Sequence, residues 1–148
     1  MQSLWDDGAA EALTARVRRL TPGQKPQWGR LSCPQVVVHM ADACRLYLGE
    51  LPCAPKNSPI RYTPLKQLIV YVLPLPKNVP TAPELLARRP GDWQTEVDML
   101  CEVIARVAAE RHRAGEWPEH PAFGKLSLRA WGILAWRHTD HHLRQFGV

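Results

Sequence analysis

The sequence predicts an all-α fold, a four-helix bundle in a single domain that spans residues 1–148. Four segments place apolar residues three and four positions apart, which is the spacing of one helix face. Residues that favour helix ends flank these segments, and no segment alternates apolar and polar residues as a half-buried β-strand does. The chain has 148 residues, 45% of them apolar, and this matches one ordinary domain with one core.

The first two helices are predicted from periodicity and capping. The first covers about residues 6–20, with its arginines opposite the apolar face. The second begins at Ser32, which has Gln35 three positions later as a capping-box partner, and it continues through Leu48 to Gly49. This second helix is apolar nearly all round, so we expect it to be buried among its neighbours.

A proline-rich stretch separates the second helix from the third. Nine of the 14 prolines lie between Gly49 and Pro90, so this stretch cannot form one regular element. The segment from Pro64 to Leu73 can form a short helix, because proline is tolerated in the first turn. Long ordered connections in compact domains are often functional, and this one is a candidate wall or lid over a site.

The last two predicted helices have clear start signals. Asp92 caps the third helix, which ends at Arg113 and Gly115. Ser127 caps the fourth helix, which covers residues 128–146. Four helices with one long crossover indicate a bundle, and bundles place metal sites in their cores.

Charge and hydropathy exclude two classes of partner. The net charge is +5, but the basic residues are scattered along the chain. The densest group, Arg16, Arg18 and Arg19, comes without interleaved aromatic residues or a base-reading motif, so we expect no nucleic-acid partner. The longest apolar run, Leu68 to Leu75, is too short to span a membrane, so we expect no membrane partner either.

The N-terminus and the cysteines favour a cytoplasmic protein. Trp5, Asp6 and Asp7 stand where an export signal needs a basic start and an apolar stretch. The four cysteines are irregularly spaced without a CxxC pair, which is typical of reduced thiols. Cys33, at the start of the second helix, is a thiol whose pKa the helix dipole could lower, although a structural role is the simpler interpretation.

Three histidines on two predicted helices point to metal binding. His138 and His142 lie one turn apart on the inward face of the last helix, which suits chelation. His39 lies among apolar residues of the second helix, where an unpaired imidazole costs free energy. A divalent metal bound by all three would satisfy these rings and leave a coordination position open. Neutral imidazoles suit zinc, nickel, copper or iron, and we expect zinc or nickel.

Each part of this set also has a simpler interpretation. A histidine pair at i,i+4 can arise by chance on a helix surface, and a lone buried histidine is usually a hydrogen-bonded part of the core. The metal site is favoured because the third histidine lies on a separate core helix and the pair shares its face with apolar residues.

Two stretches of the chain resemble the DinB/YfiT-like four-helix proteins, which are described as metal-dependent enzymes, and a branch of unknown function among them. In WGRLSCPQVVVHMADA the histidine, His39, matches the first metal ligand of that superfamily. In HPAFGKLSLRAWGILAWRHTDHHLRQFG the HxxxH pair, His138 and His142, matches the other two. The resemblance covers nearly the whole chain, and it implies an up-down-down-up bundle with the site at one end. The better-understood relatives are thiol-dependent transferases and isomerases, and many members are labelled hydrolases or damage-inducible proteins.

Further residues are candidates for catalysis around the predicted metal site. His141 adjoins His142 but points about 100° away around the helix, so we expect it at the rim, where it could shuttle a proton. Asp42, one turn after His39, is a candidate general base, a hydrogen-bond acceptor that orients a ligand, or a solvent-facing residue. Gln145, one turn past His142, could likewise orient a ligand.

These residues predict a metal-dependent enzyme with hydrolytic or thiol-transfer chemistry on a small molecule such as a thiol. The alternative is a catalytically silent bundle that keeps the fold for metal binding or for a stress-related interaction. Trp136 is predicted on the outward side of the last helix, where so large an apolar ring is unusual. A homodimer contact would explain its position, and so would packing against the proline-rich connection.

Overall fold

The computed structural model of the protein describes residues 1–77 and 81–148. Within these residues it has no β-strand and five α-helices: α1 (Ala9–Val17), α2 (Cys33–Leu48), α3 (Leu65–Tyr71), α4 (Trp93–Ala109) and α5 (Leu128–Gln145). The predicted all-α class is thus confirmed. The additional helix, α3, lies in the proline-rich connection, within the segment where the sequence predicts a short helix.

Capping side chains fix the ends of the three longest helices. The Ser32 hydroxyl accepts from the Gln35 backbone N–H while the Gln35 side chain accepts from the Ser32 backbone N–H, which is the predicted capping box. Asp92 and Ser127 accept from backbone N–H groups at the starts of α4 and α5. Gly49 ends α2 with a left-handed φ of 82°. Because these signals are local, the boundaries of α2 and α5 follow closely from the sequence.

Helix α1 is shorter than the predicted segment 6–20. It begins after Gly8, whose φ of 77° is left-handed and therefore not helical. At its other end, Arg19 and Leu20 donate to carbonyls three residues back rather than four, so the α-helix ends at Val17. Helix α4 shows the same tightening, since a 3₁₀ turn over Glu110–His112 follows its last α-helical residue.

The four long helices pack against one another in a ring. Helix α1 contacts α4 and α5, and α2 contacts the same two helices. The core between them is apolar, with Leu13, Val36, Leu100 and Trp131 each at most 1% exposed. None of the described helices is both long enough and apolar enough to cross a membrane.

The proline-rich connection is fastened to the bundle at several points. Helix α3 packs against α5, and the Arg137 guanidinium of α5 donates to the backbone carbonyls of Ile69, Val70 and Leu73 at the end of α3. Three residues of the predicted connection, 78–80, lie outside the described residues.

Two sequence expectations concern residues of the core. Trp136 is partly buried and packs against the main core, and the homodimer contact stays a prediction. All four cysteines are free, and burial raises the pKa of the Cys33 thiol to about 11. The activated thiol is therefore wrong for Cys33, because the loss of water outweighs the helix dipole and disfavours the thiolate.

Candidate metal centre

Helices α2 and α5 bring three imidazoles together. His39 comes from the middle of α2, and His138 and His142 come from the last two turns of α5. One ring nitrogen from each histidine lies within 4.8 Å of the other two, so the three predicted ligands do converge. The Nε2 atoms of His39 and His138 are 3.2 Å apart. Two nitrogens bound to one tetrahedral zinc ion at 2.0–2.1 Å are separated by about 3.3 Å. The distance between the Nε2 atoms of His39 and His138 therefore already matches that of two zinc ligands.

His39 is held in an apolar part of the molecule. Its side chain is 4% exposed, because α2 is covered on most sides by its neighbours. Among the described residues, no group makes a hydrogen bond of good geometry to its Nδ1 atom. The Leu85 backbone lies close enough to favour the protonated ring. The Nε2 atom of His39 faces His138, so in the tautomer that is protonated at Nδ1 its lone pair is available for a metal.

Gln145 fixes the orientation of His142. The Gln145 amide NH₂ donates to the backbone carbonyl of Trp28 at 2.7 Å, and only the nitrogen of an amide can donate in this way. The amide oxygen therefore faces His142, whose Nδ1 lies 2.9 Å away and must carry the proton. This leaves the Nε2 lone pair of His142 free, which is the arrangement that metal-binding histidines share. The predicted orienting role of Gln145 thus has a defined geometry.

Electrostatics keeps the three rings neutral. Burial lowers the pKa of His39, in spite of the opposing influence of the Leu85 backbone and Asp42. Burial also lowers the pKa of His142 to about 3 and that of His138 well below its usual range, and mutual repulsion of the histidines adds to both shifts. Neutral imidazoles are the form that binds metals. The centre therefore disfavours protons and is suited to a divalent cation.

His141 lies beside this group and is not part of it. The cluster with converging ligand atoms consists of the other three histidines. The His141 ring packs edge-on against Trp28 and His142, with centroid distances of 5.6 and 5.2 Å. It is half-buried, and burial lowers its pKa, with smaller contributions from Lys77 and Arg144. Its predicted position at the rim agrees with these contacts, and its role in proton transfer stays a prediction.

Asp42 belongs to an ion-pair network rather than to the histidine cluster. Its carboxylate is buried and accepts from Arg88 at 3.3 Å and from Arg45 at 3.4 Å. Arg88 in turn donates to both oxygens of the buried Glu96, at 2.7 and 2.8 Å. The solvent-facing alternative for Asp42 is therefore wrong. A catalytic role stays a prediction, and the observed contacts make Asp42 an anchor for the proline-rich connection.

Several residues at the centre had no signal in the sequence. Trp28 and Leu85 contribute backbone groups, and Lys77 is a loop residue. Helical periodicity cannot place a residue of an irregular segment, so the only available signal was the length and proline content of the connection itself. His120 stabilises the loop before α5, because its Nδ1 accepts from the backbone N–H groups of Ala122 and Phe123.

Two cavities of the described surface lie away from the centre. One of about 520 Å³ is lined by residues of the loop between α4 and α5, such as Trp117 and Lys125. Another of about 150 Å³ lies between α1 and α4. Neither of these two cavities is lined by a histidine of the cluster, so the candidate site is indicated by its donor groups.

The fold and the centre define a helical protein with three histidines that converge between two helices. The model of a family described as "Protein of unknown function (DUF1569)" matches residues 5–147, and the chain belongs to this family. Neither the comparison with curated proteins nor that with solved structures found a match. None of these comparisons names the DinB/YfiT-like superfamily, so that relationship stays a prediction.

Proposed function

We propose that this protein is a metal-dependent enzyme that carries out hydrolytic or thiol-transfer chemistry on a small molecule. The observation that carries the proposal is the convergence of three neutral imidazoles, with the His39 and His138 Nε2 atoms 3.2 Å apart. Three histidines are the protein ligands of a common class of catalytic zinc site, which keeps a fourth position open. We expect zinc or nickel as the ion.

The chain's own residues supply the positioning at such a site. Gln145 holds His142 with Nδ1 protonated, and the apolar surroundings hold His39 neutral. A divalent ion would supply Lewis-acid chemistry, which polarises a bound group or lowers the pKa of a bound water or thiol. His141 at the rim is our candidate for moving a proton to or from the substrate, because its ring is neutral and half-buried.

We further propose the up-down-down-up arrangement of the DinB/YfiT-like bundles for the four long helices. The ring in which α2 lies between α4 and α5 supports it. So does the long connection between α2 and α4, because two parallel helices need a crossover that returns the chain to the same end of the bundle.

The test is the metal content of protein purified without a histidine tag and without added metal. We expect about one divalent ion per chain. Substituting Ala for His39, His138 or His142 should each lower the metal affinity roughly 100- to 1,000-fold, because the 10–16 kcal/mol typical of four-ligand zinc sites amounts to about 3–4 kcal/mol per ligand. His112→Ala is the matched control, since His112 is exposed in the 3₁₀ turn after α4. Stoichiometric binding that survives all three substitutions would refute the assignment.

A catalytically silent, metal-binding module is the second candidate. The burial of His39, which is 4% exposed, favours it. The two candidates differ at the open coordination position. Thiocyanate added to the cobalt-substituted protein should change the visible spectrum if that position is accessible, as an enzyme requires. A spectrum that does not respond would favour the silent module.

A further inference from the structure

A lysine of the connection is held at the edge of the histidine centre. The Lys77 ammonium lies 4.2 Å from the centroid of the Trp28 ring, which is a cation–π contact. The same indole ring packs edge-on against His141, with a centroid distance of 5.6 Å. The Trp28 ring therefore contacts both the Lys77 ammonium of the connection and the His141 ring at the rim of the centre.

Trp28 is itself tied to the metal ligands. Its backbone carbonyl accepts from the Gln145 amide that orients His142. The preceding residue, Gln27, donates its backbone N–H to the carbonyl of Gln145 at 2.7 Å. The loop that carries Trp28 is thus fastened to the end of α5 by backbone and side chain. Through its contact with Trp28, Lys77 is linked to Gln145, the residue that orients His142.

The Lys77 ammonium, which contacts the Trp28 ring, forms no ion pair with the described residues. The acidic side chain closest in sequence to His141 is Asp140, and it is bound by Arg16 at 2.8 Å and approached by Arg144 at 4.0 Å. An anion that approaches this edge therefore meets the Lys77 ammonium beside a carboxylate that is already paired with Arg16.

We infer that Trp28, Lys77 and His141 form an anion subsite at the edge of the histidine centre. The ligand class is a small molecule with a negatively charged group, such as a carboxylate, sulfonate or phosphate, placed beside the group that meets the metal. Lys77 attracts the anion, Trp28 holds Lys77 in place and covers the apolar part of the ligand, and His141 offers a ring N–H. This inference rests on the proposed metal-dependent function.

Two thiols that differ only in charge test the subsite on the cobalt-substituted protein. The probes are 2-mercaptoethanesulfonate and the neutral 2-mercaptoethanol, whose thiolates both give a sulfur-to-cobalt charge-transfer band. We expect the wild-type protein to prefer the sulfonate about fivefold, the effect of one unscreened charge pair at about 4 Å in water. Lys77→Gln should abolish the preference and Lys77→Arg should keep it. Added salt should weaken it.

Lys125→Gln is the matched control. It removes the same charge from an exposed position before α5, and the 14 residues from Ser127 to His141 correspond to about 21 Å of helix. The control should keep the fivefold preference. An equal preference in wild type and Lys77→Gln, with normal cobalt spectra, would overturn the subsite and leave the metal centre standing. A wild-type protein that gives no cobalt spectrum would overturn both.

Discussion

Two buried polar clusters share helix α2 within a single turn, and they differ in how their charges are balanced. Asp42 belongs to the first, where Arg88 bridges two buried carboxylates. His39 belongs to the second, where three neutral imidazoles face one another with one nitrogen–nitrogen contact of 3.2 Å. The carboxylate cluster already contains its cation, an arginine. Among the described residues, the imidazole cluster offers nitrogen lone pairs and includes no cationic side chain.

The difference separates a structural cluster from a functional one. Buried carboxylates with paired guanidinium groups have little reason to bind anything else, and breaking such a pair costs stability. Buried imidazoles that point at one another lack a full set of partners, and a divalent ion supplies them. Removing a partner from the first cluster should therefore affect folding, and removing one from the second should affect metal binding.

The largest expected effect follows from breaking the carboxylate cluster. Arg88→Met leaves Asp42 and Glu96 buried without their shared cation, and this should lower the free energy of unfolding by about 3 kcal/mol. Urea denaturation measures the loss. The control Arg18→Met breaks the exposed ion pair with Asp98 and should have no measurable effect. If Arg88→Met were as stable as the control, the carboxylates would not depend on their arginine, and the contrast between the clusters would fail.

The sequence could predict the features that depend on neighbouring residues, but not those that depend on tertiary packing. The start of α2 at Ser32 and that of α5 at Ser127 depend on residues three positions away, so capping and periodicity locate them. The inward face of α5 follows from the same periodicity, and this periodicity predicts His138 and His142 as a pair. The partners of the clusters come from irregular segments. Nothing local to Arg88 or Trp28 indicates which helix each one contacts, because tertiary packing alone decides it.

The second prediction weakens the imidazole cluster without removing a ligand. Gln145→Met deletes the acceptor that holds the Nδ1 proton of His142, so the ring can adopt the wrong tautomer or rotate. Loss of such an outer hydrogen-bond partner typically lowers metal affinity 10- to 100-fold. Competition with a chromophoric chelator measures the affinity. Gln94→Met, at an exposed position of α4, should leave it unchanged, and equal affinities for the two variants would exclude the orienting role.

The third prediction uses a buried histidine outside the metal centre to isolate the effect of burial. Burial, with a smaller contribution from Arg61, lowers the pKa of His120 to about 3, whereas an unfolded chain binds the proton near pH 6.5. The unfolded state therefore gains protons first as the pH falls. His120 contributes its full stability above about pH 6.5, and the contribution is lost between pH 6.5 and 3 at up to about 1.4 kcal/mol per pH unit.

Urea denaturation of the metal-free protein at several pH values measures this slope. His120→Gln should lose stability less steeply with acid than the wild type does. His112→Gln, at an exposed position, is the matched control and should keep the wild-type slope. A His120→Gln slope identical to that of the control would mean that His120 is protonated in the folded state at mildly acidic pH.

The smallest expected effect on metal binding concerns His141, which borders the imidazole cluster without belonging to it. Its ring packs on Trp28 and on the edge of His142, and its side chain leaves α5 about 100° away from that of its neighbour. His141→Gln should therefore change the metal affinity by less than about twofold, whereas any activity that depends on proton transfer should fall. Measuring the metal content of His141→Gln alongside that of His142→Ala shows which of the two histidines binds the metal. A loss of metal as large as that of His142→Ala would mean that His138 and His141, three residues apart, form the chelate, and that the pairing of His142 with Gln145 serves the fold.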